Sequence, residues 1–152
     1  MSVIREAAEA DIPRILDLYR QLSLGSVDEE EPRDIEGSRA MFRDMAAHPG
    51  YHLLVAEENG VVLGTIVFVI LPGFAHTNRP WSVIEYVVVD EAYRSKGIGQ
   101  QLMDYAADMA KAAGCYKIML CSNKKRPDAH RFYRRIGYQQ THEAFHRYCR
   151  YD

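Results

Sequence analysis

A chain of 152 residues, 47% hydrophobic and 26% charged, carries enough apolar material for one domain with an ordinary core. Its formal net charge of -2 lacks the basic excess of an electrostatic nucleic-acid binder, and no apolar run approaches the roughly 20 residues of a membrane-crossing helix. The opening Met1-Ser2-Val3-Ile4-Arg5 shows no signal-peptide pattern, so the expectation is a cytoplasmic protein with neither nucleic acid nor membrane as partner.

With no repeat, low-complexity tract or linker, residues 1–152 read as a single domain. Val3 to Ala7 reads as a first strand. Asp11 followed by Pro13 predicts a helix start, because a carboxylate caps free N–H groups and proline suits a first turn. Ile12, Ile15, Leu16, Tyr19 and Leu22 then recur at helical spacing. Ser26 to Arg33, with acids from Asp28 to Glu31 and then Pro32, is a loop. A second helix, with Met41, Phe42, Met45 and Ala46 on one side, ends before Pro49-Gly50.

Strands follow at Tyr51 to Glu57 and Val61 to Leu71. The Asn-Gly pair in Glu58-Asn59-Gly60 between them favours a hairpin. Pro72 to Pro80 is a loop, and Ser82 to Val89 is a nearly unbroken apolar strand interrupted by Glu85. Gly97 to about Ala113 is a helix, with Ile98, Leu102, Tyr105, Ala106, Met109 and Ala113 at helical spacing and Gly114 as its stop. Tyr116 to Cys121 is a strand, Arg126 to Ile136 a helix stopped by Gly137, and Tyr138 to Cys149 mostly strand. That order predicts an α/β fold: a mixed, mostly antiparallel sheet with one parallel strand pair, flanked by about four helices.

The three cysteines, Cys115, Cys121 and Cys149, are odd in number and lack metal-type spacing, so no disulfide framework is expected. Cys115 and Cys121 adjoin an apolar run and read as small buried hydrophobes, the alternative being that one lines a substrate pocket. The six histidines show no ligand spacing, and no metal is expected.

The informative stretch is Val87-Val88-Val89-Asp90-Glu91-Ala92-Tyr93-Arg94-Ser95-Lys96-Gly97-Ile98-Gly99-Gln100, an apolar strand entering a basic, glycine-bearing turn that opens a helix. The first N–H groups of a helix have no intrahelical partner, and the aligned peptide dipoles leave partial positive charge there. Gly97 and Gly99 permit close approach of a diphosphate to those groups, and Arg94 and Lys96 add charge. A Rossmann fingerprint is excluded because its third glycine position is Leu102, and a Walker loop because no Gly-Lys-Ser or Gly-Lys-Thr follows. The bland alternative is a plain turn whose glycines only relieve strain.

Arg94-x-x-Gly97-x-Gly99 after a Val-rich strand resembles the coenzyme A motif of the GNAT acetyltransferase superfamily. A second motif is similar to the family's other cofactor-proximal region: Asn123, then Ala129-His130-Arg131-Phe132-Tyr133, then Gly137-Tyr138. Ile84-Glu85, the Val run and Gly114-Cys115-Tyr116-Lys117 resemble glucosamine-6-phosphate N-acetyltransferases, whereas Ser122 to Tyr138 is similar to aminoalkylphosphonate N-acetyltransferases. The likeness implies an N-acetyltransferase with acetyl-CoA as co-substrate and a small-molecule amine as partner, and it allows a homodimer.

By that resemblance the pantetheine arm lies along Val87, Val88 and Val89. The pyrophosphate sits on Arg94, Ser95, Lys96, Gly97, Ile98 and Gly99, Asn123 and Tyr133 reach the thioester end, and Gln100 and His130 are further cofactor-binding residues. An alkyl amine with a pKa near 10.4 is protonated at neutral pH, so a base must take its proton. Glu85 is the candidate, its pKa raised by burial; the alternative is a structural pairing with an arginine or a backbone cap. Tyr133 is the candidate to protonate the leaving thiolate, the alternative being core packing beside Phe132. Backbone N–H groups near Val87 are the candidate oxyanion site.

The substrate is expected to meet Arg79, Trp81, Tyr86, the Pro72 to Pro80 loop and the loop between the first two helices. Arg79, Lys124, Lys125 and Arg126 suit a phosphate or phosphonate, Asp28 to Glu31 a polyamine or basic side chain, and both runs also read as solvated faces. The competing class is a non-catalytic acyl-CoA-binding regulator, and a protein or peptide N-acetyltransferase is a further alternative.

Overall fold

The computed structural model describes residues 1–22 and 33–149, in two compact units, Met1–Met119 and Leu120–Asp152. Most of the expected loop from Ser26 to Arg33, its acidic run Asp28 to Glu31 included, lies outside the described residues.

In the first unit β1 (Val3–Glu6), β2 (Tyr51–Glu58), β3 (Val61–Leu71) and β4 (Trp81–Val89) pair antiparallel in chain order. A short β5 (Ile118–Leu120) lies next to β4 as the parallel partner. Asn59 and Gly60 both take positive φ, 53° and 79°, so the β2–β3 turn has the backbone that the Asn-Gly pair predicts. Ser82 N–H bonds Lys117 O at 3.1 Å just ahead of the three-residue β5, so that ladder borders only the first half of β4.

Helices cover both faces of the sheet. On one side α1 (Ile12–Arg20) places Ile15 and Leu18 against Leu53, Val55, Val67 and Val88. Here α2 (Ile35–Ala47) adds only Phe42 and Met45; Met41 and Ala46, expected on the same apolar side, are exposed. On the other side α4 (Ile98–Ala112) buries Ile98, Leu102, Met103, Ala106 and Ala110, while Tyr105, expected inward, is exposed. Gly64 makes that approach possible: a Cβ there would stand 3.1 Å from Val88 O and 3.2 Å from Leu102 Cδ1.

The N-terminal signal at α1 marks the right place through a different contact. Asp11 occupies the cap position, but its carboxylate turns back to accept Ala8 N–H at 2.7 Å and the Arg5 guanidinium at 2.7 and 3.0 Å. The Pro72 to Pro80 loop contains a one-turn element, α3 (Ala75–Asn78), in which His76 and Thr77 have left-handed φ of 54° and 64°.

The second unit carries α5 (Pro127–Arg135). The strand expected from Tyr138 to Cys149 does not form: the backbone from 138 to 149 joins no strand ladder, and Phe145 and Tyr148 are exposed. A period-two pattern specifies a strand only where a neighbouring strand accepts its backbone bonds, and sequence pattern alone does not show that partner. Cys121, one residue past the end of β5 at Leu120, is exposed rather than a buried hydrophobe, and Cys115 is half-buried.

Candidate active site

The site is organised by a flaw in β4. Glu85 pairs with Val67 and Val88 with Thr65, so Tyr86 and Val87 together face the single residue Ile66. Tyr86 closes this bulge with φ of +52°, a conformation that costs a bulky residue about 1–3 kcal/mol and that clusters at functional sites. The extra residue inverts the alternation. Glu85 before the bulge and Val88 after it face the α1 side, and Tyr86 turns its ring to the same side, 5.5 Å from Tyr19. The strand therefore presents a carboxylate and a phenol consecutively on one face.

Glu85 was expected to be buried, but it is exposed, because the bulge lifts this stretch out of the core. The surrounding protein still removes enough water to hold its carboxyl above the usual value of 4.5. Among the described residues its carboxylate makes no hydrogen bond or ion pair. The phenol of Tyr19 is raised beyond the ordinary tyrosine range, first by burial and then by the phenols of Tyr51 and Tyr86. Tyr51 is raised by burial and by Tyr86. Neither Tyr19 nor Tyr51 is recognisable as a site residue from sequence; the only signal is helical spacing for Tyr19 and a strand start for Tyr51.

Beyond the bulge the outer edge of Val87–Val89 continues past the three-residue β5. Asp90 then anchors the turn: it is 9% exposed, accepts Ala92 N–H at 2.9 Å and is ion-paired to Arg14, whose Nε bonds Val62 O at 2.9 Å. These contacts, Arg14 first, hold the Asp90 carboxyl below its usual range. Sequence reading missed this pair, since its members are 76 residues apart.

Arg94, Ser95, Lys96 and Gly97 follow, all exposed. Gly97 is the cap of α4 with φ of +83° and has no side chain to satisfy the first N–H groups; the first helical bond runs from Gln101 N–H to Gly97 O. The N–H groups of Ile98, Gly99 and Gln100 thus open the helix ahead of that bond, where an anion is favoured. Arg94 Nε bonds Val89 O at 3.1 Å, and the Lys96 ammonium lies 4.9 Å from the Tyr93 ring centroid, so both cations stay at this turn. The arrangement fits a diphosphate.

Of the expected substrate residues, Trp81 begins β4, Arg79 stands two residues before it, and Tyr86 lies in the bulge. Six residues separate Arg79 from Tyr86, five of them strand, a span of about 20 Å at the usual rise. Arg79 belongs instead to a groove of about 680 Å³ shared with Lys111, Cys115, Tyr116 and Lys117. In the second unit, Asn123 Oδ1 accepts Lys125 N–H at 2.9 Å and shapes the turn into α5. His130 and Tyr133 are half-buried one turn apart on α5, the Tyr133 ring 5.3 Å from Phe132 and 6.2 Å from Tyr138. Among the described residues no group of three or more His, Cys, Asp or Glu gathers as a metal site, and no helix is long and apolar enough to cross a membrane.

Residues 12–138 match the model of the acetyltransferase (GNAT) family. The chain belongs to the GNAT family. It is 34% identical over 142 residues to the aminoalkylphosphonate N-acetyltransferase of Salmonella typhimurium, covering 93% of this chain and 88% of that protein. It is 30% identical over 143 residues to the glucosamine 6-phosphate N-acetyltransferase of Trypanosoma brucei brucei, covering 92% and 90%. A solved chain assigned as an acetyltransferase from Agrobacterium tumefaciens str. C58 superposes with a TM-score of 0.88 at 33% identity, covering 96% of this chain and 99% of that one. This GNAT chain is an N-acetyltransferase, with the mixed sheet and single parallel pair of its relatives.

Proposed function

We propose that this chain, as one catalytic domain over residues 1–152, moves the acetyl group of acetyl-CoA onto a primary amine of a small molecule by direct attack in a ternary complex. The observation that carries this reading is the glycine-capped start of α4 with Arg94 and Lys96 beside it, directly after the strand whose bulge displays Glu85. Acetyl-CoA supplies the acetyl group as a thioester. The N–H groups of Ile98, Gly99 and Gln100, with Arg94, Ser95 and Lys96, hold its diphosphate, and the open edge of Val87–Val89 takes its amides.

Glu85 accepts the proton of the incoming ammonium, directly or through water, and releases the lone pair that attacks. The Val87 N–H, next to the bulge, donates to the carbonyl oxygen as charge develops there. Tyr133 O–H supplies a proton to the departing sulfur, with Asn123 and His130 toward the same end. Those last roles rest on the motif in 123–138.

CoA release measured across simple alkylamines, amino acids, aminophosphonates and peptides tests this reading. Release that requires an amine, with intersecting initial-rate patterns when both substrates vary, is expected. Parallel patterns would overturn direct attack, and no release with any amine would favour a binding-only regulator.

A further inference from the structure

The bulge of β4 gathers three phenols that the acetyl-transfer chemistry does not use. Tyr19 on α1 and Tyr86 in β4 are 5.5 Å apart with ring planes 37° from one another. Tyr51 opens β2 on the same face and packs against the cluster of Ile15, Leu18, Leu53, Val55, Val67 and Val88. Tyr86 is 54% exposed although its backbone is held in the left-handed region, so its outward ring is a placed surface and not a filled core position. Glu85 precedes it on that face. Burial first, then Tyr51 and Tyr86, raises the Tyr19 phenol, and burial first, then Tyr86, raises that of Tyr51, which agrees with hydroxyl groups drawn together.

The wall so formed is electron-rich: aromatic faces, phenol oxygens and one carboxylate. Among the described residues of the first unit, positive charge is scarce around it. No lysine precedes Lys96 in the sequence. Arg14 is held by Asp90, Arg39 and Arg43 by Glu9 and Glu36, and Arg20 is exposed on α1. The cations of the first unit's groove, Arg79, Lys111 and Lys117, adjoin the start of β4, and Arg79 is about 20 Å along the strand from Tyr86.

We propose that Tyr19, Tyr51 and Tyr86, with Glu85 beside them, receive the acceptor as an alkylammonium cation and make the enzyme selective for amines that carry no acidic group on the adjoining carbons. This rests on the acetyl-transfer reading above and names its substrate class. Rings 5.5 Å apart are too close for a cation to enter between them, so it docks on the open face of Tyr86, where the ring quadrupole attracts it. There it reaches Glu85, to which its proton passes. An acidic group one or two bonds away would face the same carboxylate and be repelled, whereas an alkyl body would lie on the rings.

The test is a nuclear magnetic resonance titration of the whole protein with tetramethylammonium, a cation that cannot be acetylated, beside tert-butanol as its neutral counterpart. Tetramethylammonium should move the ring signals of Tyr19 and Tyr86, and tert-butanol should not. Tyr86→Ala should weaken binding about threefold to thirtyfold, and Tyr86→Phe, which keeps the aromatic face, should keep it. In parallel, KM for a simple alkylamine should rise in Tyr86→Ala, and wild type should prefer that amine to 2-aminoethylphosphonate in kcat/KM. Equal response to tert-butanol, undisturbed tyrosine signals, or a preference for the aminophosphonate would overturn the proposal. Cation binding at these rings without CoA release from any amine would leave the cation site standing and remove the acetyl-transfer reading instead.

Discussion

Glu85 shows how one residue can be identified by type and misjudged in setting. A lone carboxylate in an apolar strand is visible in sequence, but its exposure is not, because the bulge at Tyr86 and Val87 depends on pairing with β3. Its raised pKa places the ionised, proton-accepting form above the ordinary carboxylate range. Rate should therefore rise with pH through that limb, and Glu85→Gln should lower turnover about 10²- to 10⁴-fold near neutrality and recover at high pH, where the free amine needs no base. Superimposable pH profiles for the two proteins would remove Glu85 from the chemistry. Stability supplies a second readout. A carboxyl whose folded pKa is raised binds more protons folded than unfolded, so its ionisation opposes folding as pH climbs from the unfolded value through the folded one. Thermal unfolding at pH 7 should find Glu85→Gln at least as stable as wild type. Tyr133→Phe should keep acetyl-CoA binding and lose turnover by a similar factor; unchanged turnover would return Tyr133 to packing among Phe132 and Tyr138.

At the scale of elements, the sequence makes legible what local rules control. The Asn-Gly hairpin, the helix stops at Gly114 and Gly137 and the basic turn into α4 are short-range signals, and each element lies within a few residues of its expected span. Long-range pairing is not legible. The Arg14–Asp90 pair and the Tyr19–Tyr86 contact join residues 76 and 67 positions apart, the close fit of Gly64 under Leu102 depends on how α4 lies on the sheet, and the absent strand from Tyr138 to Cys149 depends on a ladder partner. Asp90 fixes the turn that leads to α4, so Asp90→Asn should lower stability by about 1.5–3 kcal/mol, toward the smaller figure because Arg14 is partly exposed. It should also weaken acetyl-CoA binding. The Asp90 carboxyl is held below its usual 3.8, so its contribution is full above that value and is lost as pH falls through the lower folded one. Denaturant unfolding should show the gap between wild type and Asp90→Asn closing in strong acid; a gap constant with pH would mean the pair contributes nothing through charge.

For the molecule as a whole, fold and class were readable because two motifs, Arg94 to Gly99 and Asn123 to Tyr138, occur in order within one chain, and the GNAT match over residues 12–138 spans both. The acceptor was not readable. The walls proposed for it come from α1, β2 and the β4 bulge, which no single stretch of sequence brings together. The variant that tests the proposed seat for acetyl-CoA at the start of α4 must spare the fold. Gly97→Ala does not, since φ of +83° would cost an alanine about 1–2 kcal/mol. Gly99 lies in ordinary helical backbone, where alanine is favoured by up to about 1 kcal/mol. A methyl group there is expected to crowd a diphosphate approaching the N–H groups of the first turn. Calorimetric titration with acetyl-CoA should find Gly99→Ala as stable as wild type and binding about tenfold more weakly or worse, as expected for the loss of a charge-assisted hydrogen bond. Equal affinity in the two proteins would contradict the α4 seat and the reading built on it.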